Sequence, residues 1–176
     1  MHGCHSVPGG RDEGWGDMPV TDSAVRIVDV PPVRIAVLEH RGDPRRVEES
    51  VRRFVAWRRQ AQLSRATHAT FNIFYTAIDG TAPADFRLGL CVATDDDVQP
   101  NDAGVIAATL PGGRCAVMRH VGTDVALREA AAYLCGTWLG RSGESRRDFP
   151  LYCQRVRFFP DVPQHEAIVD LFLPLK

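Results

Sequence analysis

The stretch VPPVRIAVLEHRGD, residues 30–43, returns 80 positions later as LPGGRCAVMRHVGT, residues 110–123. Pro31, Arg34, Ala36, Val37, His40 and Gly42 meet Pro111, Arg114, Ala116, Val117, His120 and Gly122 without a gap. Self-similarity at a fixed spacing marks a duplicated structural unit, and it governs every later assignment in the chain. After the next predicted helix the spacing becomes 81, where Trp57 meets Trp138.

Outward from this stretch, Val25, Ile27, Val33, Ile35 and Val37 alternate as half-buried strands do, with a break at Pro31-Pro32. Residues 44–60 read as a helix: Pro44 suits a first turn, and Val47, Val51, Phe54 and Val55 form one apolar stripe. Residues 71–75 and 86–93 read as strands joined by the turn-rich Asp79-Gly80-Thr81-Ala82-Pro83. The second half repeats the order, with strands at 104–109 and 114–119, a helix at 124–139, and strands at 151–158 and 167–173. Its helix stripe is Leu127, Ala131, Leu134 and Trp138.

Each half, about 25–94 and 104–175, therefore reads β-hairpin, helix, β-hairpin, with Asp95-Asp96-Asp97 to Asp102 as the junction. The expected fold class is α+β. Two pseudo-symmetric repeats form one antiparallel sheet with helices on one side. The opposite face is then left as a shared groove on a pseudo-two-fold axis, the kind of crevice that takes small ligands.

Composition sets the limits. The 176 residues are 44% hydrophobic and 24% charged, enough for a real core without disulfides or metal. A net charge of −1 gives no global attraction to nucleic acid or an anionic membrane, and no apolar run approaches the roughly 18 residues of a membrane span. Lys176 is the only lysine, which suggests a GC-rich bacterial coding sequence. The five cysteines show no CxxC spacing, and residues 1–20 lack a continuous apolar leader core. The expectation is a cytoplasmic protein with reduced thiols. Residues 1–22 read as a disordered tail in which Met18 is an alternative start, and 23–176 as the domain.

The doubled Arg-x-Ala-Val-x-x-His-x-Gly, and the ending FFPDVPQHEAIVDLFLPL over residues 158–175, resemble the GyrI-like effector-binding domain family across about residues 25–176. That family includes ligand-binding halves of AraC- and MerR-type regulators and free-standing gyrase-inhibitor-like proteins. The resemblance implies two repeats around a central groove that takes bulky, often aromatic or cationic, small molecules. It also implies a groove carboxylate on a second-half strand in a pattern like Phe-Glu-x-Tyr. Here that place reads Tyr152-Cys153-Gln154-Arg155, so Cys153 replaces the glutamate and Arg155 the tyrosine. The loss removes the main support for a cationic ligand, and Arg155 favours an anionic or neutral polar one; a one-residue slip would put Gln154 there instead. A second departure is Arg87-Leu88-Gly89 where the family's Arg-x-Asp is expected, whereas Asp170 is kept. The residues before Val25 are too few for a DNA-binding unit, so the expectation is a stand-alone domain with no direct DNA contact.

The candidate ligand-binding residues are Trp57, Asn72, Phe74, Tyr75, Trp138, Tyr152, Cys153 and Arg155. Repeat matching puts Asn72 opposite Cys153 and Phe74 opposite Arg155, so alternation sends Asn72 and Phe74 to the groove. Trp57 and Trp138 read as core or as ligand contact. No cofactor and no metal is expected. His40 and His120 read as turn-closing residues rather than ligands, and His2-Gly3-Cys4-His5 as an incidental soft-metal motif. Cys153 as a nucleophile would need a base that the sequence does not name. The arginines between Arg45 and Arg59 read as a solvated helix face, with an acidic protein partner as the sharper alternative. The functional reading is a sensor or sequestering protein for a bulky, partly aromatic small molecule. A hydrolase of reactive natural products in the same groove and a protein-interaction module are the rivals.

Overall fold

The computed structural model describes residues 24–77 and 80–176. The tail motif His2-Gly3-Cys4-His5 and the alternative start Met18 lie outside those residues. The described chain runs β1 (Val25–Val30), β2 (Val33–Arg41), α1 (Val47–Gln60), β3 (Thr70–Phe74), β4 (Arg87–Ala93), β5 (Ile106–Leu110), β6 (Gly113–Val121), α2 (Asp124–Ala132), β7 (Tyr152–Arg157) and β8 (Ile168–Pro174). All eight strands form one antiparallel sheet in the order β1-β6-β8-β7-β3-β4-β2-β5. Reversing that order and exchanging the halves returns it unchanged, so the α+β reading and its pseudo-two-fold symmetry hold. The bounds of β2 and β6 differ by 80, and those of β4 and β8 by 81.

The first strands are not paired as the sequence suggests. β1 pairs with β6 of the second half, and β5 with β2 of the first. The linkers give the reason. A tight hairpin needs positive φ at its first central residue, whereas proline is held near −65°. Pro31-Pro32 and Pro111-Gly112 fill the two-residue links, so each strand runs on to the other half. The links cross in contact: a Cβ on Gly112 would stand 2.7 Å from Cδ of Pro32 and 3.0 Å from the Val30 carbonyl oxygen. Only glycine fits that approach.

The change of spacing from 80 to 81 also has a structural counterpart. After Ala132 the helix continues as a π segment, Tyr133–Trp138, and ends as α3, Leu139–Ser142. A π turn is how a helix absorbs one added residue without losing its ladder. The inserted residue thus lies between Ala132 and Trp138.

Both helices cover one side of the sheet. Ala36, Leu38, Leu90 and Val92 pack under Phe54 of α1, while Ala116, Met118, Leu171 and Leu173 pack under Leu127, Ala131 and Leu134. The other side is filled by Ile35, Val37, Phe71, Ile73, Cys91 and Tyr152. His40 holds the turn before α1. Its Nε2–H donates to the Asp43 carbonyl (3.1 Å), which leaves Nδ1 to accept from the Ser50 hydroxyl (2.8 Å). His120 makes the matching contact to the Thr123 carbonyl at 3.2 Å.

Candidate functional site

The two halves meet at β3 and β7, in the register Thr70–Arg155, Phe71–Gln154, Asn72–Cys153 and Ile73–Tyr152. The spacing of 81 carries Asn72 onto Cys153, its own partner, so this pair lies on the pseudo-dyad. Both point to the helix side, where strand alternation adds Phe74 and Arg155. The Asn72 amide donates to the Gly89 carbonyl at 3.1 Å, and its oxygen accepts from Nε of Arg155 at 2.7 Å. Nη1 of Arg155 donates to Asp124, in the first turn of α2, at 2.9 Å. One guanidinium thus ties β7 to the other half's central strand and to the helix of its own half. Cys153 is fully buried, and burial pushes its thiol up to about 11. It is a neutral thiol at pH 7.

Two cavities flank this pair, each between one helix and the central strands. The smaller, about 480 Å³, lies along α1 and is lined by Glu48, Val51, Val55, Asn72, Asp124 and Arg155, with Phe158 and Phe159 beyond. The larger, about 740 Å³, lies along α2 and its π continuation. Phe74, Tyr75, Phe149, Pro150, Ala131, Leu151 and Cys135 form its apolar wall, and Arg128, Arg146, Arg147, Asp148 and Lys176 its polar part. The cavities are repeat-related: Glu48 corresponds to Arg128, Val51 to Ala131, Val55 to Cys135, Arg65 to Arg146, and Arg155 to Phe74. Their shapes share a plan, but their charges do not.

The match to known proteins falls on this same architecture. A model of the GyrI-like small molecule binding domain matches residues 23–176. The chain belongs to that family. Among curated relatives of this GyrI-like domain, the probable transcriptional regulator YgiV of Escherichia coli K12 is 32% identical over 152 residues, 86% of this chain and 95% of that protein. Among solved structures, the C-terminal domain of EcmrR superposes with a TM-score of 0.70 at 13% identity, covering 86% of this chain and 96% of that one. A hydrolase from Listeria innocua superposes with 0.58 at 12% identity, covering 86% and 91%. These two likenesses are of fold.

Against the GyrI-like pattern, the sequence-derived candidates divide. Asn72, Phe74 and Arg155 line the cavities, and Tyr75 borders the larger one. Cys153 lies beneath the surface between them. Tyr152 is on the other side of the sheet, stacked on Phe172 at 4.9 Å and edge-on to Phe149. Neither tryptophan lines either of these two cavities: Trp57 stacks on Phe54 at 6.1 Å, and Trp138 is buried beneath its helix. Both cavities open along the helices and not on the opposite face, which is filled by its own apolar side chains, although the larger also takes in Tyr75 and Phe149, which pack against that apolar cluster.

At Gly89, where the resemblance implies an aspartate, the surroundings leave little room for a side chain. A Cβ at Gly89 would already meet the Tyr75 ring at 3.2 Å and Ile73 at 3.1 Å. Asp170, by contrast, holds Arg119 through two bonds of 2.8 and 2.9 Å. Of the arginines between Arg45 and Arg59, four are engaged within the fold, and Arg53 and Arg59 lie exposed on α1. Arg45 pairs with Asp43, Arg46 with Glu49 and Arg52 with Glu48. Arg58 is buried and donates to the carbonyls of Leu63 and His68 and to the Thr70 hydroxyl. Arg128, Arg146, Arg147 and Lys176 did not emerge from the sequence. They come from a helix, a loop and the last residue, with no common spacing to signal them.

Proposed function

We propose that this GyrI-like domain is a receptor for a bulky, partly aromatic small molecule, held between a helix and the central strands and acting as a sensor or a sequestering protein. The observation that carries this reading is the pair of repeat-related cavities flanking Asn72 and Cys153, each with an apolar wall and a few fixed polar groups. That is the make-up of a small-molecule site. Apolar burial on Phe74, Tyr75 and Phe149 supplies the affinity at about 25 cal/mol per Å², less the costs of ordering. The Asn72–Arg155–Asp124 chain supplies polar groups to the smaller cavity, and Arg146, Arg147 and Asp148 supply them to the larger. YgiV's description as a probable regulator supports a sensing role. The hydrolase reading draws no support from Cys153, whose buried thiol is not ionised at neutral pH.

The test is a thermal-shift screen of lipophilic cations, aromatic antibiotics and aromatic carboxylates, run beside Phe74→Ala. A ligand at one hundred times its Kd stabilises by about 2.7 kcal/mol, roughly 5–10 °C for a domain of this size. The expected result is at least one compound that raises the melting temperature of the native protein and not that of Phe74→Ala. A screen in which nothing shifts, or in which every hit survives the substitution, counts against the proposal.

A further inference from the structure

The two cavities differ most in charge, and the difference points to a ligand class. In the smaller one, Arg155 faces Asp124, Arg65 is paired with Asp161, Arg58 is held by the carbonyls of Leu63 and His68 and the Thr70 hydroxyl, and Glu48 also lines the wall. The larger one is lined by Arg128, Arg146, Arg147 and Lys176, with Asp148 as the acidic side chain among its described lining residues, while the terminal carboxylate of Lys176 is held by Arg114 at 2.7 Å. Arg128 stands where the repeat has Glu48, so the duplication has reversed a charge at the same place on the helix.

Arg147 adds a second, independent observation. Its Nη1 donates to the Gly112 carbonyl at 2.6 Å, but Nε and Nη2 are buried with no hydrogen-bond partner among the described residues. A buried cation with neither a carboxylate beside it nor full hydration is costly unless something negative approaches. Arg147 lines the cavity together with Phe149, Pro150 and Leu151, and a charge among apolar neighbours is screened less than one in bulk water.

Resting on the reading above, we propose that the larger cavity is an organic-anion site. It takes an aromatic or polycyclic body bearing a carboxylate, sulfonate or similar group. The body lies on Phe74, Tyr75 and Phe149, and the anionic group sits toward Arg146 and Lys176 within the field of Arg147. The expected preference is therefore opposite to that of a pocket built around a carboxylate.

Three pyrene probes that differ in one substituent test this: pyrene-1-carboxylate, the neutral pyrene-1-carboxamide and 1-pyrenemethylammonium. Fluorescence anisotropy of the full chain would be followed in low salt and at about 0.2 M salt, where the Debye length is about 7 Å. The carboxylate should bind more tightly than both others, by about fivefold or more, with an advantage that shrinks as salt rises. R146Q, an exposed and structurally mild change, should weaken the carboxylate by about two- to fivefold and leave the carboxamide unchanged. Arg59→Gln, on the exposed face of α1 and away from both cavities, should leave all three unchanged, and Arg155→Gln probes the other cavity.

Equal binding of carboxamide or ammonium overturns the anion assignment while leaving the receptor reading intact. Loss of carboxylate binding in Arg155→Gln but not in R146Q overturns it too, by moving the anion to the other cavity. Failure of all three probes, together with a silent thermal-shift screen, removes the receptor reading itself.

Discussion

At Cys153 one side chain decides what charge the centre of the molecule can present. A carboxylate on the pseudo-dyad would present a fixed negative charge to both cavities. A thiol with no solvent exposure, raised to about 11, presents none below that pH. The native protein should therefore leave Cys153 unmodified by iodoacetamide at pH 8, and the same reagent should label it fully once the chain is unfolded. Because the reactive form is the thiolate, native labelling should rise only as pH approaches 11. Peptide mapping by mass spectrometry reads this directly, and fast labelling of Cys153 at neutral pH would restore a nucleophile to the discussion. The polar load is carried by Asn72, whose amide is used at both ends. Asn72→Ala leaves the Gly89 carbonyl and the Arg155 guanidinium each short of a partner, and should cost about 1–3 kcal/mol in chemical denaturation. Alternation alone placed residues 72, 74, 153 and 155 on one side. It did not tell which side, because residues 35–38 are buried one after another, and a strand covered on both faces carries no polar–apolar rhythm.

At the level of elements, the repeat made the strands and helices legible almost to the residue, whereas their pairing was not. Pairing is a long-range choice. The local sign that mattered was negative: prolines at Pro31, Pro32 and Pro111 forbid the tight turns that the nearest-neighbour reading assumed. Two glycines test the resulting geometry in opposite senses. Gly112 sits where the linkers cross, with the Pro32 ring and the Val30 carbonyl oxygen already within 3.0 Å of a new Cβ. Gly112→Ala should therefore destabilise by about 1–3 kcal/mol, as overpacking does. Gly136, in the π segment, has ordinary helical φ and open space around it. Gly136→Ala should be neutral or stabilising by up to about 1 kcal/mol. Denaturant midpoints with unchanged slopes would measure both. If Gly112→Ala were silent, the crossing of the linkers would not be as close as described.

Over the whole molecule, the sequence revealed the duplication but not how far the copies depend on each other. The basic cavity escaped notice for the same reason. Its wall is assembled from residues 74–77, 128–135, 146–151 and 176, which share no local pattern. Three of the seven strand pairings, β1–β6, β2–β5 and β3–β7, cross between halves. A fragment of residues 1–100 keeps only β3-β4-β2 and α1. It exposes the β3 edge along its whole length, loses the strand that covers β2, and leaves β1 without a partner. A fragment of residues 101–176 is left the same way. Units of this size bury a small share of their surface even when intact, and these would also present unpaired edges. Each fragment alone should give an unfolded far-UV circular dichroism spectrum, and mixing them at equal concentration should restore the native spectrum with a cooperative melt. Because both fragments contribute to the central strands and to the walls of both cavities, ligand binding should return only with the mixture. A single fragment that melts cooperatively by itself would mean that the exchanged strands embellish two self-sufficient halves and are not what joins them.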